Sequence, residues 1–224
     1  MSPIGQLQEK SLHAALKVYY ARPGDSVETR VQGYIIDVVR EDTLIEIQTR
    51  HFSALKPKLA HLLQTHAVRL VHPIAQERWI VRVSADGEMV SRRKSPRHGT
   101  VDLLFRELIR FPELIAHPNF TIEIVFTQEE EIWHNDGRGS WRRKRWSIAD
   151  RRLLSVVEQI AFETPEDFRA LLPDSLPQPF TTADLAAARR CTRDLAQKMA
   201  FCLRQMRVIE ILGKRGNALL YRVS

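Results

Sequence analysis

Two short segments, residues 31–39 and 44–48, flank the polar sequence Arg-Glu-Asp-Thr and carry apolar residues in an alternating pattern. This pattern predicts two β-strands, and the polar segment predicts a tight turn between them. A turn centred on residues 41 and 42 pairs Val39 with Leu44 and Asp37 with Glu46. Side chains two residues apart share one face of a strand, so Asp37, Glu46 and Gln48 are expected on one face. The opposite face is apolar and is expected in the core: Tyr34, Ile36, Val38, Ile45 and Ile47.

The opposed acids of this hairpin indicate a metal site. Two carboxylates directly across from each other on neighbouring strands repel and destabilise the pair. A divalent cation between them removes the repulsion, and Mg²⁺ binds carboxylates together with water and phosphate oxygens. The pattern therefore predicts a phosphodiester-cleaving site with Mg²⁺ or Mn²⁺ as cofactor. The alternative is a solvated strand face on which Arg40 or Arg50 neutralises the acids.

Asp37 followed by Glu46-Ile47-Gln48 resembles the core of the PD-(D/E)XK nuclease superfamily. Its order of elements is helix, strand ending in Asp, strand with (D/E)-x-K, helix and strand, and residues 6–72 repeat that order. The resemblance implies a restriction-endonuclease-like α/β fold, in which a mixed sheet is flanked by helices. It also implies that Asp37, Glu46 and the backbone carbonyl of Ile47 are metal ligands. Gln48 replaces the lysine, and a glutamine can orient water or phosphate only through hydrogen bonds.

Glu9 is a further candidate for the catalytic site. Residues 6–20 predict an amphipathic helix on which Glu9 shares a face with Leu12, His13, Leu16 and Tyr20. In the resembled superfamily a glutamate from the first helix reaches the site, and Glu9 takes that place. The alternative is a surface glutamate favoured by the positive end of the helix dipole.

The second part of the chain has a more helical pattern, which predicts a nuclease-like domain at 1–147 and a smaller, mainly α domain at 148–224. Residues 147–162, SIADRRLLSVVEQIAF, are predicted as a helix. Residues 181–223 resemble a winged helix-turn-helix, in which two helices are followed by a β-hairpin. Such a domain places its second helix in the major groove of DNA. Protein contacts by the same winged helix are the alternative.

Basic and amide side chains supply the candidate nucleic-acid contacts. They are Arg193, Gln197, Lys198 and Arg204 on the second helix, Lys214 and Arg215 in the hairpin, Arg92 and Arg93 in segment 91–99, and Arg142 and Arg143 in WRRKRW. The WRRKRW segment is also predicted to pair with EEEIWH across a hairpin, where Glu129, Glu130 and Glu131 would neutralise part of its charge. Solvated surface charge is the alternative for each group.

The bulk composition favours an anionic partner. The 224 residues carry a formal net charge of +7, which favours binding to nucleic acid. Cys191 and Cys202 have a spacing that fits neither a zinc site nor a disulfide framework. No apolar run of about 18 residues occurs, and the first residues lack the apolar stretch of a secretory signal. We therefore expect a cytoplasmic protein with no membrane contact.

Two functions fit these features. One is a metal-dependent endonuclease that binds DNA, with the double-stranded form expected, through its winged helix. The other is a catalytically inactive nuclease fold that serves as a DNA-binding or assembly protein. A homodimer or a partner protein is compatible with both.

Overall fold

The computed structural model describes residues 11–84, 87–141 and 145–224. Its α-helices are α1 (Ser11–Tyr20), α2 (Lys56–Leu62), α3 (Phe105–Leu108), α4 (Pro165–Arg169), α5 (Thr182–Ala188) and α6 (Arg193–Gln205). Its strands are β1 (Ser26–Val31), β2 (Tyr34–Arg40), β3 (Thr43–Ile47), β4 (Ala67–Val83), β5 (Met89–Lys94), β6 (Phe120–His134), β7 (Ser147–Phe162), β8 (Ile209–Arg215) and β9 (Ala218–Val223). Short 3₁₀ helices span Phe52–Ala54, Val101–Leu104 and Pro112–Ala116.

Among the described residues, seven strands form one mixed sheet in the order β1-β2-β3-β4-β6-β7, with β5 paired to β4. Strand β4 runs parallel to both β3 and β6, and the other neighbours are antiparallel. Parallel neighbours require crossover connections, which the segments containing α2 and α3 provide. The sheet with its flanking helices confirms the predicted α/β class.

The first predicted strand, residues 31–39, is split by a turn. Val31 and Tyr34 pair with each other, and Gln32 and Gly33 between them have φ values of 48° and 87°. Two successive positive φ values form the tight turn that matches the twist of a hairpin, and glycine adopts the second at no steric cost. Strand β1 was not predicted, because the apolar stretch obscured this turn.

Residues 147–162 form strand β7, so the helix predicted there is wrong. Strand β7 pairs antiparallel with β6 along nearly its whole length, from His134↔Ser147 to Ile122↔Phe162. The register shifts three times, which leaves Ala149, Leu154 and Val157 as extra residues. Each β-bulge adds one residue on β7, so residues that face the core become three apart, which imitates helical spacing. Leu153 and Val156, for example, contact the same buried cluster.

This pairing also corrects the predicted partner of EEEIWH. Glu130 faces Arg152 and Glu131 faces Arg151 of β7, while Trp141, Arg145 and Trp146 lie in the connection between β6 and β7. Glu130 and Glu131 therefore face arginines of β7, which is a different partner from the predicted one. The division predicted at 147/148 falls at the start of β7, so the segment assigned to the second domain begins with a strand of the large sheet.

Two apolar clusters pack helices against the sheet, in addition to a small cluster of Val81, Val83 and Ile132 on β4 and β6. One contains Leu12, Leu16 and Tyr20 of α1 together with residues of β2, β3, β4 and β6. The larger one contains residues of α2 and α3 together with residues of α5, α6 and β8. The C-terminal helices therefore share a core with the large sheet rather than packing only among themselves.

The C-terminal segment consists of α4, α5, α6 and the antiparallel pair β8–β9. Helix α5 is capped by Thr181, whose hydroxyl accepts the N–H groups of Ala183 and Asp184, while Asp184 accepts the N–H of Thr181. This reciprocal capping box satisfies backbone donors that a helix start leaves unpaired. Within the described ranges, no helix is long and apolar enough to cross a membrane.

Candidate active site

The site forms where β2 and β3 separate. Their ladder pairs Arg40 with Thr43, Val39 with Leu44 and Val38 with Ile45, which is the predicted register. Val38↔Ile45 is the last pair of this ladder, and Asp37 and Glu46 are the next residues along the two strands. Past that point β3 continues to pair with β4. The two acids thus lie at the end of a ladder, where the backbone groups of the two strands no longer satisfy each other.

The carboxylate of Asp37 bridges the separating strands. Its Oδ2 atom accepts the backbone N–H of Ile47 at 2.8 Å and lies 3.3 Å from Nε2 of His13 on α1. Burial alone raises the pKa of Asp37, but the hydrogen bonds from His13 and Ile47 and the charges of His13 and Lys17 lower it below its usual value. Asp37 is therefore held as an anion beside the backbone of β3.

Glu46 has the opposite electrostatic environment. Burial raises the pKa of its carboxyl above the ordinary value, and the negative charge of Asp37 raises it further. Lys58 of α2 partly offsets this effect, because its Nζ lies 2.7 Å from Oε2 of Glu46. The same ammonium donates to the carbonyl oxygen of Ile35 at 2.7 Å. Two neighbouring carboxyls with opposite pKa shifts are typical of functional sites.

Strict alternation along β2 is not kept at this point. Ile36 packs in the larger cluster with Leu44, whereas Val38 packs with Ile45 in the cluster under α1. Ile36 and Val38 were predicted to share a face, and that prediction is wrong. Asp37 contacts His13 of α1, which packs in one cluster, whereas Glu46 contacts Lys58 of α2, which packs in the other.

Gln48, the residue expected to replace the lysine of the resembled motif, is turned toward the following loop. Its side-chain amide donates to the carbonyl oxygen of Arg50. Its backbone is fixed on both sides, since its N–H donates to Val71 O at 2.9 Å and its carbonyl lies 2.7 Å from Nδ1 of His72. The cation beside Glu46 is therefore Lys58 and not the residue two positions along β3.

Sequence reasoning missed Lys58. The residue lies in the segment Lys-Pro-Lys, and Pro57 is in the first turn of α2. A lysine in the first turn of the helix that follows the Glu-x-Gln strand is the signal that could have identified it, because this turn lies close to the end of the strand.

Oxygen ligands for a hard cation are present at this site. The carboxylates of Asp37 and Glu46 and the carbonyl of Ile47 are the donor type that Mg²⁺ and Mn²⁺ prefer. In the portion of the chain that the structure describes, no three His, Cys, Asp or Glu side chains come together as a metal site. A metal here would thus rest on two carboxylates and main-chain or water oxygens. Glu9, Arg142 and Arg143 lie outside the described residues.

The predicted nucleic-acid contacts that the structure describes lie on three elements: helix α6, the β8–β9 hairpin and strand β5. Arg193, Gln197 and Arg204 are exposed on α6, where Lys198 pairs with Asp194 at 2.6 Å. Lys214 and Arg215 are at the tip of the β8–β9 hairpin, and Arg215 lies 3.3 Å from Asp184.

Arg92 and Arg93 are exposed on β5, where Arg92 pairs with Glu130 at 2.7 Å and lies 5.1 Å from the centre of the Trp79 ring.

Residues 10–163 match the model of the family described as "Domain of unknown function (DUF8091)". The chain belongs to the DUF8091 family. The DUF8091 match runs from the start of α1 to the end of β7, so it includes Asp37, Glu46 and Lys58. A relative from Treponema pallidum (strain Nichols), described as "Uncharacterized protein", is 33% identical over 220 residues, which are 98% of this chain and 87% of the relative. No solved structure matches the chain.

Proposed function

We propose that this protein is a metal-dependent endonuclease that hydrolyses phosphodiester bonds in DNA. The observation that carries the proposal is the pair of neighbouring acids, Asp37 and Glu46, at the point where two strands separate. Their pKa values are shifted in opposite directions, and Lys58 lies beside Glu46. The order α1, β2, β3, α2, β4, with β1 as an additional strand between α1 and β2, also supports the PD-(D/E)XK resemblance.

Each residue has a distinct role in the proposed reaction. Asp37 is an anion whose orientation is fixed by His13 and the N–H of Ile47, so it is suited to hold a cation. Glu46 supplies the second carboxylate, and the ammonium of Lys58 favours its ionised form. Bound Mg²⁺ or Mn²⁺ would supply Lewis acidity and a water of lowered pKa. Lys58 is also the side chain placed to stabilise negative charge that develops on the phosphate.

The C-terminal helices and hairpin are proposed to provide DNA affinity. Helices α5 and α6 are joined by a short turn at residues 189–192, and the β8–β9 hairpin follows, which is the order of a winged helix. The exposed face of α6 carries Arg193, Gln197 and Arg204, and the hairpin tip carries Lys214 and Arg215. Side chains of this kind contact phosphates and base edges when such a helix lies in a major groove.

The test is cleavage of supercoiled plasmid and of labelled single-stranded DNA with Mg²⁺ or Mn²⁺. Wild-type protein should nick or linearise the plasmid, and Asp37→Asn and Glu46→Gln should abolish the reaction. Asp42→Asn makes the same chemical change at an exposed residue in the turn of the same hairpin, and it should leave cleavage unchanged. Equal cleavage by Asp37→Asn and Asp42→Asn would refute the proposal. Linear product at low protein excess would point to paired sites, as in a homodimer.

An inactive DNA-binding or assembly protein is the second candidate. It is favoured by Gln48 in the lysine position and by the ion pair with Lys58, which already neutralises Glu46 without a metal. This candidate predicts binding to DNA without cleavage by wild type or any variant. Binding through phosphates should weaken steeply with added salt in either case.

A further inference from the structure

A cavity of about 250 Å³ lies beside Gln48, between the end of β3 and the start of β7. Its walls include Gln48 and Arg50 on one side and Asp150 and Arg151 on the other. The carboxylate of Asp150 is engaged by the N–H and the hydroxyl of Ser11. The cavity wall therefore contains two arginines and Gln48, which lies two residues after Glu46.

The two arginines of the cavity wall, and Arg78 close to Arg151, lack sufficient acceptors. The side chain of Arg50 has no hydrogen-bond or ion-pair partner among the described residues. Arg151 lies 3.5 Å and Arg78 lies 3.1 Å from the same atom, Oε2 of Glu131, and neither contact has hydrogen-bond geometry. The Nε atoms of Arg78 and Arg151 are buried with no acceptor in the described part of the chain.

The acids beside this cluster of arginines compensate its positive charge only in part. Burial lowers the pKa of Arg151, and the charges of Arg50 and Arg78 lower it further, while Glu129 and Glu131 only partly compensate. A buried donor that has no acceptor also raises the free energy of the folded protein. A ligand with several acceptor oxygens in the cavity would offset the positive charge and supply acceptors to Arg50 and Arg151. Guanidinium groups bind phosphate in a fixed two-pronged geometry.

We propose that this cavity binds a backbone phosphate of the nucleic-acid strand, flanking the bond to be cut, with Arg50 and Arg151 as its ligands. The assignment to a backbone phosphate rests on the proposed function, because that function brings a nucleic-acid strand to Asp37 and Glu46. Gln48 in the cavity wall follows Glu46 by two residues. Arg78 supports the site by holding Glu131 beside Arg151. Such a contact fixes the position of the strand relative to Asp37 and Glu46 and carries no sequence information.

The test measures binding alone. Fluorescence anisotropy with a labelled duplex and a labelled single strand, in EDTA, excludes metal-dependent cleavage. Arg50→Gln should weaken binding and reduce the slope of log K against log salt by about one, which is the effect of one lost phosphate contact. Arg30→Gln removes the same charge from an exposed residue on β1, at the other edge of the sheet, and should have no effect. Identical binding curves for Arg50→Gln and Arg30→Gln would overturn the inference.

Arg151 needs a variant that preserves folding. Arg151→Lys keeps the charge and loses the two-pronged geometry, and its fold can be checked by circular dichroism. A folded Arg151→Lys protein should bind DNA more weakly than wild type at every salt concentration. If the folded variant binds as tightly as wild type, Arg151 is not a ligand and the site as stated is wrong.

Competition identifies the source of the phosphate. Inorganic phosphate and a deoxynucleoside 5′-monophosphate should displace labelled DNA only at millimolar concentration if the site takes a backbone phosphate. Displacement at micromolar concentration would identify a small phosphorylated ligand and overturn the backbone assignment. Weaker binding by Arg50→Gln in a protein that never cleaves would refute the endonuclease and leave the phosphate site in place. If wild-type protein cleaves DNA and Arg50→Gln binds DNA as tightly as wild type, the endonuclease is supported and the phosphate site is refuted.

Discussion

Nζ of Lys58 lies 2.7 Å from Oε2 of Glu46, and both side chains are largely buried, with exposures of 13% and 11%. The pair joins the first turn of α2 to the end of β3. Because charges removed from water depend on each other for compensation, the loss of one leaves the other buried and unpaired. This relationship links the stability of the fold to the chemistry of the proposed site.

Lys58→Met should destabilise the protein by about 3 kcal/mol, since it leaves the Glu46 carboxylate without its cation. Urea unfolding followed by circular dichroism measures this loss. Lys56→Met is a matched control on the same helix, because Lys56 and its partner Glu113 are 52% and 50% exposed. An exposed pair of this kind contributes less than about 1 kcal/mol.

Glu46→Gln combined with Lys58→Met should recover part of that stability, because the double variant buries no lone charge. Additive losses in the double variant would contradict a coupling between these two residues.

Lys58, rather than Gln48, should be required for cleavage. Gln48→Ala removes only a hydrogen bond to the carbonyl of Arg50 and should retain most of the activity. Lys58→Met should lower the single-turnover rate about a hundredfold or more, the usual effect of losing one group that stabilises charge in the transition state. Rates are compared at a temperature where both variants are folded. If Gln48→Ala lowers the cleavage rate more than Lys58→Met does, Gln48 and not Lys58 is the residue required for cleavage.

His72 should make stability depend on pH. Burial lowers the pKa of its imidazole below the ordinary 6.5, and the hydrogen bond to Gln48 O does not cancel this effect. The folded protein therefore binds a proton less readily than the unfolded chain. The contribution of His72 is complete above about pH 6.5 and is lost as the pH falls toward its lowered pKa, by up to about 1.4 kcal/mol per pH unit.

His72→Asn keeps a donor near the carbonyl of Gln48 and does not titrate, so its unfolding free energy should change less than that of wild type between pH 7 and pH 5. His98→Asn removes an exposed histidine and should follow the wild-type pH dependence. Equal pH dependence in wild type and His72→Asn would show that another group controls it.

Arg189 should hold the C-terminal helices against the rest of the protein. Its guanidinium donates to Asp102 at 2.6 and 3.1 Å and to the carbonyl of Leu171 at 3.0 Å, and the Asp102 side chain is only 2% exposed. Arg189→Ala leaves a buried carboxylate unpaired and should cost about 3 to 5 kcal/mol. Thermal unfolding measures this loss of stability. Arg190→Ala, which changes the exposed neighbouring arginine, is the control. A loss no greater than that of Arg190→Ala would exclude a structural role for the pair.

The sequence by itself determined the features that depend on residues close together in the chain. The turn at residues 41 and 42 set the register of β2 and β3 as far as Val38↔Ile45, the pair next to Asp37 and Glu46. Thr181 and Asp184 set the start of α5, because a capping box needs only groups three residues apart. These contacts form within one turn or hairpin, so local pattern is sufficient to predict them.

Only the tertiary structure decided what depends on partners distant in the sequence. Strand β7 was predicted as a helix because its three bulges imitate helical spacing, and only its pairing with β6 makes it a strand. The cation beside Glu46 comes from α2, and the cavity beside Gln48 joins Arg50 to Arg151 across about a hundred residues of chain. Burial and charge at these places are set by packing between separate elements, and no local pattern of residues encodes which elements will meet.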